Sequence, residues 1–208
     1  MGSLHILVPL LAAAAVATPA RAEAQCAAYA TELTAMVEAA EAVRGRVDYL
    51  AAAQGRTELE AVERGNAERL AAWMKACGWP RRSVEGVQAA RGAWLVAQQR
   101  SGDLPFQRQV VRQLELAVLD GEAPAMYLAA ASDRLAVKEG RPQRYGTQLR
   151  RVDACHWDYY PLDDVSRVEA RRKRLDLPSL AENKRGINDA VAGEHCPPAQ
   201  PIASPPAQ

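Results

Sequence analysis

Polar side chains placed where a helical pattern calls for apolar ones are the first candidates for chemistry, and this chain has several. Arg44, Asn66, Gln98, Asp133 and Arg134 lie on or beside apolar stripes, and Tyr145, Thr147 and Gln148 follow close behind. A buried polar group left unpaired costs roughly 1–3 kcal/mol, so such residues occur where partners exist. Two arrangements meet that requirement. The groups can pair with one another and lock segments together, with Asp133 accepting from an arginine and Gln148 meeting a backbone group. Alternatively Arg44, Gln98, Asp133, Arg134, Tyr145 and Gln148 line a pocket for a small polar ligand.

Covalent catalysis is short of parts. A Ser or Cys nucleophile needs a base, and beyond the leader the histidines are His156, among aromatics, and His195, near the C-terminus. Paired carboxylates are the remaining route: Glu41 and Asp133 could serve as acid and base in a carboxylate-dependent hydrolase. The simpler reading of Glu41 is that it faces water or pairs with Arg44, three residues on. Cys26, Cys77, Cys155 and Cys196 lack the close spacing of a zinc knuckle, so neither a metal nor another cofactor is expected.

The elements that would position these residues read as six or seven helices with one small hairpin. The first helix is predicted near residues 23–53, with Leu33, Met36, Val37, Ala40, Val43, Val47 and Leu50 at helical steps and a stop at Gln54-Gly55. The second is predicted to start at Thr57, which forms a capping box with Glu60, and to run to Cys77. A third is expected over 84–100, a fourth over 104–119, and a fifth from Pro124 to Gly140, with Gly102 and Gly121 as stops. Between 143 and 162 the period changes to that of a two-stranded β-hairpin, and helices resume at Asp163 and near Leu177. The predicted fold class is therefore mainly α.

The ends and the cysteines bear on compartment. Residues 6–16 are apolar and are followed by Ala20-Arg21-Ala22, the pattern of a signal peptide cleaved after residue 22, too short for the roughly 20 residues of a membrane span. The mature chain is thus expected in the periplasm or outside the cell, without stable membrane insertion. There the even cysteine count predicts two disulfides, with Cys26–Cys77 and Cys155–Cys196 the favoured connectivity. A helical hairpin turning at Gly55 has unequal arms and argues against the first pair, unless the chain bends near Gly45. Residues 23–192 are expected to form one helical domain, and the Pro-rich stretch 193–208 a disordered tail.

Removing Arg21 with the leader leaves 25 basic against 25 acidic side chains, so no global field attracts nucleic acid. Arg171-Arg172-Lys173-Arg174 is the dense basic run and reads as a solvated helix end.

Several segments resemble one bacterial family: Gly78-Trp79-Pro80, Ala93-Trp94-Leu95 with Gln98, Asp103 with Phe106-Gln107, Asp133-Arg134, and above all Arg141-Pro142-Gln143-Arg144-Tyr145-Gly146-Thr147-Gln148. The chain is similar over about residues 33–180 to the DUF6624 family, for which the resemblance implies no assigned activity. Where relatives often carry Gln-His this chain has Gln98-Gln99, and where they carry Asp-Gln ahead of an Arg it has Ala40-Glu41 ahead of Arg44. The reading favoured by the sequence is a binding or interaction module whose partner is a small polar ligand or an envelope protein. The envelope hydrolase and a purely structural domain are the alternatives.

Overall fold

The structure is a computed structural model that describes residues 26–46, 53–153 and 155–191. The expected signal peptide, the tail from 193, and the positions of Val47, Leu50, His195 and Cys196 lie outside them. Among the described residues there are seven helices and one hairpin. They are α1 Tyr29–Arg46, α2 Ala53–Cys77, α3 Val87–Gln99, α4 Leu104–Leu119, α5 Ala125–Lys138, β1 Leu149–Arg151, β2 Trp157–Tyr159, α6 Val165–Arg174 and α7 Leu180–Val191. None of the described helices is long and apolar enough to cross a membrane.

The core follows from the spacing. On α1, Tyr29, Leu33, Met36, Ala40 and Val43 recur at steps of four and three, and all are buried. Tyr29, Leu33 and Met36 pack with Leu70 and Met74 of α2, Ala93 and Val96 of α3, and Val110 and Leu114 of α4, while Ala40 and Val43 form a smaller cluster with Leu59 of α2. Tyr29 stacks on Trp73 with ring centroids 5.0 Å apart and donates its hydroxyl to Gly78 O at 3.3 Å. Buried amides close off backbone carbonyls between helices: Asn66 donates to Met36 O at 2.7 Å, and Gln107 to Ala97 O at 2.8 Å. Asn66 is thereby a helix-to-helix tie, made to a backbone carbonyl rather than to another of the selected polar side chains.

Several boundaries differ from expectation. Helix α1 ends at Arg46 and α2 begins at Ala53, so Thr57 and Gly55 lie inside α2 rather than at its edge. Gly55 is therefore helical and is not the turn between two unequal arms. That removes the objection to the Cys26–Cys77 bond, which forms with Cα atoms 5.9 Å apart. Cys155 is also disulfide-bonded. Helix α3 begins at Val87 rather than 84, because carboxylates capture the backbone ahead of it. Glu122 accepts from the Ser83 N–H at 3.0 Å and Glu85 from the Arg81 N–H at 2.7 Å, while Gly86 has φ 90°, which no helix continues.

The second half of the chain builds a cap. Strands β1 and β2 pair antiparallel with Leu149 opposite Tyr159 and Arg151 opposite Trp157, and Gln143 bridges to Leu162. Helix α7 closes over β2: the Tyr159 hydroxyl donates to Leu180 O at 2.9 Å and accepts from Asn183 at 2.9 Å. Asp164 caps α6 by accepting from the Arg167 N–H at 3.0 Å.

Surface carboxylates on this half are held below their usual range. Lys184 lowers Asp158, Arg171 lowers Asp163, and Arg141 with Arg108 lowers Glu139. A carboxyl lowered in the fold contributes stability above its ordinary value and loses it as the pH falls through the lowered one. Thermal melts are expected to be flat from pH 7 to about 5 and to drop below roughly pH 4.5, each exposed pair contributing little.

Candidate functional site

The segment 141–148, between α5 and β1, is held from three directions. Asp133, fully buried on α5, accepts from the main-chain N–H groups of Arg144 at 2.7 Å, Tyr145 at 3.0 Å and Thr147 at 2.8 Å, and from the Thr147 hydroxyl at 2.9 Å. Arg172, also buried, approaches the same segment through its carbonyls. Its guanidinium donates to Tyr145 O at 2.6 Å and Gly146 O at 3.0 Å, with a further bond to Pro178 O at 2.6 Å. Gln143, buried beside them, donates to Gln148 O and Tyr160 O, both at 3.0 Å, and accepts from the Gln148 N–H at 2.7 Å. The backbone polar groups of a loop would otherwise be orphaned at such depth; here an acid, a base and an amide pair with them.

Gly146 sits at the centre with φ 66°, and a side chain there would run into Leu180 and Leu162. Gly140 has a similar φ of 68° but open space around it. Gly146→Ala is expected to cost about 2–3 kcal/mol, from left-handed strain plus overpacking, and Gly140→Ala only about 1 kcal/mol from the strain alone. Urea-denaturation midpoints of the two variants check the difference.

This geometry divides the residues selected from the sequence. Asp133 meets loop N–H groups rather than an arginine, and all its accepting directions face the protein. Tyr145 is buried, and Gln148 is half-buried with its amide donating to Thr147 Oγ1 at 3.1 Å. Arg44 lies apart from them, paired with Glu63 of α2 at 2.6 Å. Gln99, with its amide oxygen turned to that guanidinium, accepts from both terminal nitrogens at 3.1 Å. Glu41 is exposed on α1 in a shallow groove of about 250 Å³ with Glu38, Gln88 and Arg91. Asp133 does not line that groove, so acid–base work by the pair finds no common cleft.

Gln98 and Arg134 are brought together. Arg134 donates to Gln98 Oε1 at 3.3 Å, and its guanidinium lies 5.7 Å from the Trp94 ring centroid. Trp94 is in turn stacked on Tyr127, one turn into α5, at 4.5 Å. Both Gln98 and Arg134 remain half-buried, open to solvent on one side. The two neighbouring amides thus face two arginines in different states. Arg44 is balanced by a carboxylate, whereas Arg134 has a neutral amide and a ring, with no carboxylate paired to it among the described residues. Burial lowers the proton affinity of Arg134 from its ordinary value.

Arg172 and Gln143 are not among the site residues selected from the sequence, although Gln143 lies in the family motif. Arg172 belongs to the run expected to be solvated, yet it is buried; the available signal was Val168 four residues earlier, fully buried on the same stripe. Gln99 and Glu63, which flank Arg44, are likewise visible only in three dimensions. Among the described residues no group of three or more His, Cys, Asp or Glu side chains could hold a metal ion.

The chain has no significant match among curated proteins or among solved structures. A family model does match, over residues 27–194, a longer span than the 33–180 carried by the motifs. The chain belongs to DUF6624, a family of unknown function.

Proposed function

We propose that the chain is an exported binding module, periplasmic or secreted once residues 1–22 are removed, that holds a small polar ligand or a polar segment of an envelope protein. The contact point is the half-buried shelf of Gln98 and Arg134, with Trp94 as its floor. One observation carries this reading: Arg134 keeps its charge in a partly desolvated place without a carboxylate partner among the described residues, whereas Arg44 has one. Burying a cation costs stability, and a group that leaves its charge unbalanced in the free protein is suited to meet its counterpart on binding. Asp133, Gln143, Tyr145 and Arg172 act as the scaffold that fixes α5 against the loop. At the positions where the chain departs from common family residues, 40 now holds an apolar core residue, 41 an exposed glutamate and 99 an arginine-binding amide.

The test is a thermal-shift screen of the oxidised mature chain, residues 23–208, against amino acids, sugars, nucleotides, metals and cell-wall fragments. A ligand at a hundredfold excess over its dissociation constant adds about 2.7 kcal/mol, roughly 5–10 °C for a domain of this size. A shift lost in a folded Arg134→Gln variant supports the shelf, and shifts that all persist in that variant place binding elsewhere.

A further inference from the structure

The geometry points to a carboxylate as the group that Arg134 receives. This rests on the shelf reading above and narrows it to a ligand class. A guanidinium presents a planar fork of N–H donors that matches the two oxygens of a carboxylate, and such charge-assisted pairs are stronger than bonds to neutral acceptors. Arg134 instead holds a single amide oxygen, Gln98 Oε1, at the long distance of 3.3 Å. The amide is therefore a replaceable partner. When a carboxylate takes its place, Gln98 rotates its side chain and offers the ligand an N–H, so that both residues bind one anion.

A carboxylate fits better than a phosphate dianion because the site offers one unbalanced positive charge. The charge on Arg44 is taken up by Glu63 at 2.6 Å, and the guanidinium of Arg172 is engaged with three carbonyls inside the cap. The negative charge of Asp133, one residue from Arg134, is fully engaged with the N–H groups of 144, 145 and 147 and the Thr147 hydroxyl. It does not substitute for an anion at the shelf. Trp94, 9 % exposed, fixes the plane of approach by holding the guanidinium against its ring.

Side-chain ¹⁵N NMR of the full mature chain reads this directly. The Arg134 Nε–H and Gln98 amide signals are followed during titration with acetate, lactate and N-acetylalanine, each beside its neutral carboxamide, at constant chloride. Saturable shifts at both signals are expected, with dissociation constants at least about tenfold lower for the acids than for the amides, the difference shrinking at high salt. Equal or tighter binding of the carboxamides overturns the carboxylate assignment and leaves the shelf as a neutral polar site. No movement of either signal with any of the six probes overturns the assignment and the shelf together.

Discussion

Replacing Asp133 by alanine is expected to destabilise the protein by about 4–5 kcal/mol or to prevent folding, a fall of roughly 8–20 °C in Tm. The side chain is fully buried and accepts from three backbone N–H groups and one hydroxyl of a single segment. Removing it leaves four donors without a partner at a depth water does not readily reach, each costing about 1–3 kcal/mol if it stays unpaired. Partial collapse and a trapped water keep the total below the sum. Asp133→Asn separates shape from charge: it retains one accepting oxygen but turns an NH₂ toward N–H donors, so it should recover at most a small part of the loss. Denaturant melts monitored by circular dichroism measure both variants.

The counterpart is Arg172→Met, for which a loss of about 3–5 kcal/mol is expected. Methionine keeps the apolar stem beside Val168 but strands the carbonyls of Tyr145, Gly146 and Pro178. Asp133 and Arg172 clamp the same few peptide groups from opposite polarities, one through N–H and the other through C=O. Their losses should therefore not add. In a double-mutant cycle the pair is expected to couple by about 1–3 kcal/mol, since once one side of the loop is released the other has less to hold. Additive losses would mean that the segment is held as two independent halves.

Much of the bundle was legible because its punctuation is local. Helix α4 runs from Leu104 to Leu119 as expected, with Asp103 capping the Phe106 N–H, Pro105 in the first turn and Gly121 just past the end. Helix α5 starts behind Pro124 for similar reasons. What escaped depends on distant partners. Glu122 reaches back to Ser83, 39 residues away, and holds the start of α3 out of the helix. Arg172 lies in a run of four basic residues that periodicity alone places in solvent, yet carbonyls 26 and 27 residues earlier draw it inside.

The candidate site shows the same division. The sequence marks Asp133, Arg134, Gln98 and Gln148 as polar residues needing partners, but two neighbours on one helix meet opposite fates. Asp133 turns inward to the loop, and Arg134, about 100° further round α5, turns to Gln98 and Trp94. Composition cannot assign Glu63 to Arg44 while leaving Arg134 with an amide, because that choice is set by how α1, α2, α3 and α5 pack. The cluster therefore reads from sequence as one pocket and resolves in space into a scaffold and a shelf.

That separation is tested most directly by the melting temperature of Arg134→Leu beside that of Asp133→Ala. Leucine keeps apolar contact with Trp94 while removing the unbalanced charge, so a residue kept for binding should be dispensable to the fold. The expected result is a Tm within about 3 °C of the parent or above it, against the large fall for Asp133→Ala. A fall for Arg134→Leu as deep as that for Asp133→Ala would make Arg134 part of the scaffold and contradict the assignment of the shelf as the binding site.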